Sequence, residues 1–208
     1  ARHFEVDGWL EDIAARTTDM LLREQSRLGI QGDVMEIGVH HGRYFLVLAN
    51  GLVDGEVAVA VDLFDDQGAN VTRSGRGSWT HLVWNVAKFA PHVRMEVIQG
   101  ESTQIDEELT SRNRMRFVSI DGGHDRATCC SDLWLSQHVA IRGAIVALDD
   151  IYRADWSGVT AGVARFYRGG GTLVPFAFVP NKLLLTTESA WAERYREALR
   201  REFMPYCD

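Results

Sequence analysis

The segment FVSIDGGHD (residues 117–125) has the form of a buried strand that runs into a turn. Its apolar residues lead to Asp121, two glycines and then His124. A second segment, GAIVALDDI (residues 143–151), ends in the same way on Asp149 and Asp150. Strands rich in Val and Ile without polar alternation are typical of a parallel sheet covered on both faces. Because parallel strands bring their carboxyl ends to one edge of the sheet, we expect these carboxylates to meet.

Short apolar runs alternate with helical patterns along the rest of the chain, which is typical of a doubly wound α/β domain. Seven strands are predicted, at Val34–Gly38, Glu56–Leu63, Val93–Gln99, Arg116–Asp121, Gly143–Leu148, Leu173–Val179 and Lys182–Thr187. Helices are predicted at Gly42–Leu52, Trp79–Phe89, Arg126–Ala140, Val159–Tyr167 and Ser189–Glu202, and residues 6–28 carry a further helical stripe that ends at Gly29.

The last two predicted strands have a different connection from the others. Only Pro180 and Asn181 separate them, and a parallel crossover needs a dozen or more residues, so they must form an antiparallel hairpin. The predicted fold class is therefore a Rossmann-like, doubly wound and mostly parallel seven-stranded sheet with one reversed strand. We expect residues 1–208 to form a single domain, with residues 1–30 as an N-terminal helical extension.

Composition excludes several classes of function. The net charge of −7 disfavours nucleic acid, which attracts proteins through clustered Lys and Arg. The apolar runs are no longer than strands, so no membrane span is predicted. The polar start of the chain favours a cytoplasmic protein. Its three cysteines, Cys129, Cys130 and Cys207, are predicted to be reduced thiols, since their spacing fits neither a disulfide framework nor a metal site.

Three strand ends predict a cofactor pocket. The first strand runs into VMEIGVHHGRYF (residues 34–45), where glycines bring the backbone close to a ligand and Glu36 favours a cationic ligand over a pyrophosphate. The second strand ends on Asp62, which is placed to accept hydrogen bonds from a ribose; helix capping is the alternative. The third strand ends in Gly100, Glu101 and Ser102, where an adenine would lie.

Together these segments resemble the class I S-adenosylmethionine-dependent methyltransferases over nearly the whole chain from Asp33. Residues 117–151 are most similar to the metal-dependent sugar O-methyltransferases of the macrocin and mycinamicin type, and small mycobacterial methyltransferases of methylmannose polysaccharide synthesis are also similar. The resemblance implies methyl transfer to a hydroxyl of a sugar or glycosylated small molecule, with Mg2+ bound by Asp121, Asp149 and Asp150 and with His124 as the base. The candidate cofactor-binding residues are Glu36, Gly38, His40, Gly42, Tyr44, Asp62, Leu63, Gly100, Glu101, Ser102 and Asp121.

Physical chemistry supports a cation at the predicted carboxylate cluster. Three carboxylates that close repel one another unless a cation lies among them, and oxygen-only ligands suit Mg2+. For any one of these Asp residues taken alone, capping of the next helix is the better explanation, and it is the set of three with His124 that favours a metal ion. The alternatives for the whole protein are a catechol-type metal-dependent O-methyltransferase, a cofactor-binding protein without catalysis, and a metal hydroxylase, although one histidine fits an iron site with two histidines poorly.

Three features have two interpretations each. Gly68–Gly77 (GANVTRSGRG) is either a surface loop or a mobile lid over the site. Trp156 either flanks the sugar or packs in the core. An aromatic stripe on the last helix (Trp191, Tyr195 and Phe203) indicates either core packing or a subunit contact, so a homodimer is a further expectation.

Overall fold

Strands and helices alternate along the chain of the computed structural model, which describes residues 3–70, 73–105 and 114–204. The strands are β1 (Asp33–Ile37), β2 (Ala58–Asp62), β3 (Met95–Gln99), β4 (Met115–Ile120), β5 (Ala140–Asp149), β6 (Val174–Val179) and β7 (Lys182–Thr186). The α-helices are α1 (Asp12–Arg27), α2 (Phe45–Ala49), α3 (Trp79–Phe89), α4 (Arg126–Val139), α5 (Ser157–Arg168) and α6 (Ser189–Phe203). None of the described helices is long and apolar enough to cross a membrane.

The seven strands form one sheet in the order β3-β2-β1-β4-β5-β7-β6. Strands β1 to β5 pair in parallel, whereas β7 is antiparallel to both β5 and β6. The predicted fold, with its single reversed strand, is confirmed. Because β6 runs in the same direction as β5, the turn between β6 and β7 lies at the edge where the parallel strands end. We call this the carboxyl edge of the sheet and the opposite one the amino edge.

The largest differences from the predicted elements lie near glycines. Helix α2 is five residues long, whereas a helix over Gly42–Leu52 was expected. Gly42 has φ +89°, a left-handed conformation that an α-helix cannot include. The residues around Gly42, between β1 and α2, therefore form a turn. Helix α1 begins only at Asp12, after Gly8 at φ +135°. Strand β5 is longer than predicted, because it starts directly after α4 at Ala140.

Helices cover the sheet on both faces. Successive residues of β4 show the alternation, since Phe117 packs in a core with α1, α2 and α6, and Val118 packs in a second core with α4 and α5. Tyr195 of the aromatic stripe is buried in the first core. The thiols of Cys129 and Cys130 are free and buried in the second, and Cys207 lies outside the described residues.

The amino edge of the sheet contains a fully buried ion pair. The Arg116 guanidinium donates two hydrogen bonds to the Glu56 carboxylate, with N–O distances of 2.8 and 2.9 Å. Its remaining donors reach the side chain of Gln25 and the carbonyls of Gly51, Gly32 and Leu22. Glu56 also accepts the backbone N–H groups of Gly32 and Val53. Every polar atom of this pair therefore has a partner, as a buried charge requires.

Candidate functional site

A cavity of about 740 Å³ opens at the carboxyl edge of the sheet. The ends of β1, β2, β4 and β5 line it together with the β6–β7 turn, the N-terminal segment around Trp9, and residues of the loop Gly68–Gly77. Clefts at this edge are the usual ligand sites of open α/β sheets. Of the predicted cofactor-binding residues, eight line the cavity: Gly38, His40, Asp62, Leu63, Gly100, Glu101, Ser102 and Asp121.

The glycine turn after β1 brings the backbone of two strands into contact. Gly38 has φ +85°, and a Cβ atom built there would lie 1.9 Å from the backbone oxygen of Asp121. A side chain at this position would collide with the backbone after β4, so the close approach of the two strand ends requires glycine. The result is an open backbone wall beside the Asp121 carboxylate.

Asp62 organises the same turn from the end of β2. Its carboxylate accepts the backbone N–H of His40 at 2.7 Å and that of Phe64 at 2.6 Å. His40 is itself in the left-handed region, with φ +54°. Asp62 caps no helix in the described part of the chain, and it lies half-exposed at the cavity wall. Carboxylate oxygens have lone pairs beyond these two bonds, so the position suits a ribose.

The loop after β3 is tied to α4 by a side-chain contact. The Ser102 hydroxyl donates to the buried carboxylate of Asp132. Burial raises the pKa of Asp132 to about 7, against the opposing effect of the Ser102 hydrogen bond. The Gly100–Ser102 segment is thereby held against the cavity, at the predicted adenine position.

Three predicted cofactor-binding residues lie behind the cavity wall instead of at its surface. Glu36 is buried, and one of its oxygens, Oε2, finds no hydrogen-bond donor among the described residues. Tyr44 is buried as well, and its hydroxyl bonds that of Thr18 at 2.7 Å. Gly42 forms the turn between them. Burial raises the pKa of Glu36 well above its ordinary value, with Asp149 and Asp62 adding to the effect and Lys182 opposing it.

The sequence predicts that Asp121, Asp149 and Asp150 meet near His124, and the structure brings three of these four residues together, Asp121, His124 and Asp150. One ligand atom of each lies within 4.8 Å of the others. His124 Nε2 is 2.8 Å from Asp150 Oδ2 and 3.9 Å from Asp121 Oδ1. Asp125, by contrast, is the N-cap of α4, where its side chain accepts the N–H groups of Ala127 and Thr128. The two acidic residues that precede and follow the glycine pair thus have different roles.

The hydrogen bonds of His124 indicate which ring nitrogen carries the proton. Burial raises the pKa of Asp150, but hydrogen bonds from His124 and Asn181 outweigh it, and the net shift is below the ordinary value. An ionised Asp150 only accepts hydrogen bonds, so Nε2 of His124 is the donor. In the neutral imidazole Nδ1 then has the lone pair, and it lies 3.1 Å from the Ser74 hydroxyl. Trp156 stacks on the ring, with centroids 4.3 Å apart.

Asp149, the third predicted metal ligand, has a partner that the sequence analysis did not identify. Its Oδ2 is 2.6 Å from the ammonium of Lys182, and both side chains are buried. The register of the sheet explains the contact, because Lys182 is directly opposite Asp149 across β5 and β7. The adjacent Asn181 binds Asp150 in two ways, through its side-chain amide at 2.7 Å and through its backbone carbonyl.

The acidic residues at this edge repel one another. Burial raises the pKa of Asp121 well above its ordinary value, and Asp149, Asp150 and Glu36 raise it further. Lys182 is the cation that opposes this effect at both Asp121 and Glu36. A divalent cation between Asp121 and Asp150 would relieve the remaining repulsion, and carboxylate oxygens are suitable ligands for it. The residues present therefore fit a bound divalent cation.

Several residues of the cavity wall were not predicted from the sequence, namely Trp9, Gln67, Asn70, Ser74, Arg153, Asn181 and Lys182. The positions of Asn181 and Lys182 could have been predicted, because a hairpin whose first strand is parallel to β5 must place its turn at the carboxyl edge. The others lie on loops or, for Gln67, in a single 3-10 turn, where no periodicity indicates which side chains point into the cavity. The loop Gly68–Gly77 does reach the site, through Ser74 at His124 and through Gly75 and Gly77, whose Cα positions adjoin His40 and Asp62. Its role as a mobile lid stays a prediction.

Comparisons with known proteins agree with this arrangement. Residues 35–151, more than half of the chain, match the model of a family described as a methyltransferase domain. Among solved structures, CalS11, a TDP-rhamnose 3'-O-methyltransferase of calicheamicin biosynthesis, is 19% identical with a TM-score of 0.61, and the match covers 83% of this chain and 78% of that one. The O-methyltransferase NovP is 11% identical with a TM-score of 0.63 and the same coverage.

A third structure was solved with a cofactor product. It is an O-methyltransferase from Bacillus cereus in complex with SAH, 16% identical, with a TM-score of 0.59 and coverage of 86% of this chain and 82% of that one. No curated protein sequence matches the chain significantly. At these identities the solved structures show that the fold is shared.

Proposed function

The chain belongs to the family of methyltransferase domains, and from that premise we propose that it transfers a methyl group from S-adenosylmethionine to a hydroxyl group of a sugar or glycosylated small molecule, with Mg2+ as the metal ion. The observation that carries the proposal is the cluster of Asp121, His124 and Asp150 beside the Gly38 turn in one cavity. When bound, S-adenosylmethionine supplies an electrophilic methyl group and Mg2+ stabilises negative charge on the acceptor oxygen.

The cofactor would lie between the ends of β1, β2 and β3. Asp62 accepts hydrogen bonds from the ribose, and Gly100–Ser102 form the wall at the adenine. The Gly38 backbone leaves room for the methionine portion beside Asp121. The excess of carboxylates over cations at this end of the cavity favours a sulfonium, which is positively charged.

The acceptor would enter beside His124 and Trp156. Asp121 and Asp150 would hold the metal ion, with Asp149 next to Asp150 at the end of β5. His124 Nδ1 has the lone pair in the described hydrogen-bond arrangement, so it is the atom that accepts the proton of the acceptor hydroxyl. An acceptor hydroxyl that replaces the Ser74 hydroxyl would meet this lone pair at hydrogen-bonding distance. Asp150 holds the ring in that tautomer, which is the orienting role of a carboxylate behind a catalytic histidine.

The lining of the outer cavity supports a polyhydroxyl acceptor. Gln67, Asn70 and Arg153 line it, and side-chain amides both donate and accept hydrogen bonds, as sugar hydroxyls require. Trp9 and Trp156 add aromatic surface against which the apolar face of a sugar ring can pack. CalS11 is a TDP-rhamnose 3'-O-methyltransferase, which makes TDP-rhamnose a suitable first acceptor to try.

The proposal is tested by separating cofactor binding from metal-dependent transfer. We expect calorimetry to show binding of S-adenosylhomocysteine with or without Mg2+, and methyl transfer to a sugar acceptor to require Mg2+ and stop in excess chelator. Asp62→Asn removes the charged acceptor at the ribose, and hydrogen bonds to charged groups contribute about 1.5–3 kcal/mol, so cofactor affinity should fall roughly 10- to 100-fold.

Three results would contradict this proposal, each in a different part. Undiminished methyl transfer in excess chelator would exclude a required metal ion. Parental affinity of Asp62→Asn for S-adenosylhomocysteine would show that Asp62 does not bind the ribose. Failure of the parent protein to bind S-adenosylhomocysteine at all would leave a different ligand for the cavity.

A further inference from the structure

We infer that Lys182 is an internal counter-ion that competes with the bound metal ion for Asp149 and thereby sets the metal affinity of the site. This inference rests on the proposed function, because it assumes a divalent cation held by Asp121 and Asp150. The reversed strand then has a chemical role, because its first residue, Lys182, forms an ion pair with Asp149, one of the three predicted metal ligands.

The position of Lys182 is fixed by the fold. It is 3% exposed, and the pairing of β7 with β5 places it directly opposite Asp149. Its ammonium lies 2.6 Å from Asp149 Oδ2 and 4.2 Å from the centroid of the Tyr44 ring, whose negative face favours a cation. Two independent contacts therefore hold the charge on the side of Asp149 that faces Tyr44, away from open solvent.

Charge distinguishes Asp149 from its neighbour Asp150. The Asp149 carboxylate is paired with a full positive charge, and its Oδ1 also accepts the N–H of Asp150. The hydrogen-bond donors to Asp150 are instead the side chains of His124 and Asn181, and the nearest guanidinium, that of the half-exposed Arg153, lies 3.8 Å away. The charge of Asp149 is thus compensated at close range by a buried ammonium, whereas Asp150 has no buried ammonium or guanidinium in direct contact among the described residues.

The geometry agrees with this difference. The ligand atoms that lie within 4.8 Å of one another come from Asp121, His124 and Asp150, and Asp149 does not belong to that group. The positive charge of Lys182 also opposes the rise in the pKa of Asp121 and of Glu36, so it acts on the whole acidic end of the cavity. In effect one buried ammonium replaces part of the charge that a bound metal ion would provide.

Removal of the ammonium should therefore strengthen metal binding. The Lys182→Met substitution keeps the length of the side chain and removes its charge, which frees Asp149 to become a third carboxylate ligand and removes a positive charge near the ion. We expect Mg2+ to bind at least tenfold more tightly than to the parent, and the rise in melting temperature on addition of Mg2+ to be larger. The loss of a second-sphere group that only orients a ligand would instead weaken metal binding by about 10- to 100-fold.

A double-mutant cycle makes the test specific to Asp149. Mg2+ binding is measured by calorimetry for the parent, Lys182→Met, Asp149→Asn and the double variant, all with S-adenosylhomocysteine bound. In the parent background Asp149→Asn should weaken Mg2+ binding far less than Asp150→Asn does. In the Lys182→Met background the same Asp149→Asn change should weaken it at least tenfold. Lys88→Met is the matched control, because Lys88 is the other lysine of the chain and lies on α3 away from the cavity.

Each outcome decides between the two proposals. If neither the parent nor Lys182→Met binds Mg2+, the proposed metal dependence fails and this inference fails with it. If the parent binds Mg2+ and Lys182→Met binds it no more tightly, only the inference is overturned. Should Lys182→Met not fold, the single variants still decide, since loss of Mg2+ binding in Asp149→Asn as severe as in Asp150→Asn would make Asp149 a direct ligand and overturn the role of Lys182.

Discussion

Two buried cations lie at opposite edges of the same sheet, and their surroundings differ in one respect. At the amino edge, Arg116 meets one carboxylate, Glu56, and every hydrogen-bonding group of both has a partner. At the carboxyl edge, Lys182 meets Asp149 directly but lies among the further carboxylates of Asp121, Asp150 and Glu36. Positive and negative charges balance at the first edge, and negative charge is in excess at the second.

This difference shows how structural and functional buried charge can be told apart within one fold. A complete ion pair has no capacity left for a ligand, so the Arg116 pair can only join α1, β4 and the segment before β2. An incomplete one is costly for the isolated protein, because carboxylates held close together with too few cations repel one another and raise the free energy of the folded state. Binding of a cationic ligand would offset this destabilisation, and the cavity lies at the same edge of the sheet.

The largest effect is expected at His124, in the chemical step. We predict that His124→Ala lowers the single-turnover rate of methyl transfer by roughly 10²–10⁴-fold, the usual contribution of a general base. Mg2+ and cofactor affinity should remain near parental values, because His124 acts on the acceptor proton. Rapid-quench methylation of a competent sugar acceptor measures the rate, and calorimetry measures the affinities.

Two alternative results at His124 carry different meanings. A variant with the parental rate would remove His124 from the mechanism. A variant that loses Mg2+ binding would make the imidazole a ligand, which the distances to Asp121 and Asp150 would accommodate.

The next largest effect is expected at the amino edge, on stability alone. Arg116→Met leaves Glu56 buried without its cation, and loss of one partner from a buried pair costs about 3–5 kcal/mol. Urea unfolding should show this loss, whereas the affinity of the folded protein for S-adenosylhomocysteine should be unchanged. The double variant Arg116→Met/Glu56→Leu should recover much of the stability, because it removes the unpaired charge as well. A change in cofactor affinity as large as the change in stability would remove the contrast between the two edges.

The sequence predicted the fold, and it predicted that Asp121, Asp149 and Asp150 meet at one edge of the sheet, because both follow from strand order. The structure brings Asp121 and Asp150 together with His124, whereas Asp149 is paired with Lys182. Val- and Ile-rich strands, a two-residue connection and strand-end acids determine which side chains share an edge before any contact is known. The partner of Asp149 could not be read in this way, since it depends on the register of β7 against β5, and register is a property of the whole sheet. The contact of Ser74 with His124 depends on the course of a loop that has no repeating pattern. Sequence reasoning therefore identified the acids and missed the cation that balances one of them.

The smallest effect tests whether the presence of partners, and not proximity to the cavity, makes a carboxylate structural. Asp125 lines the cavity only four residues after Asp121, yet its carboxylate accepts two backbone N–H groups of α4 and the Thr128 hydroxyl. Burial opposes its ionisation, but these hydrogen bonds prevail and the pKa of Asp125 is below its ordinary value. We predict that Asp125→Ala costs about 1 kcal/mol of stability at pH 7, the usual contribution of an N-cap, and leaves Mg2+ affinity unchanged.

The pH dependence of this loss identifies its cause. A carboxylate whose pKa is lower in the folded than in the unfolded protein stabilises the fold above the unfolded value, which is near 3.9 for Asp, and that contribution disappears as the pH falls through the folded value. The difference in unfolding free energy between parent and Asp125→Ala should therefore be constant near neutrality and shrink below about pH 4. Asp125→Asn is the matched control, because Asn caps a helix equally well without ionising, so it should stay close to the parent at pH 7. If Asp125→Ala instead weakens Mg2+ binding at neutral pH as strongly as Asp150→Asn does, Asp125 belongs to the acidic cluster, and a full set of partners no longer distinguishes structural carboxylates in this protein.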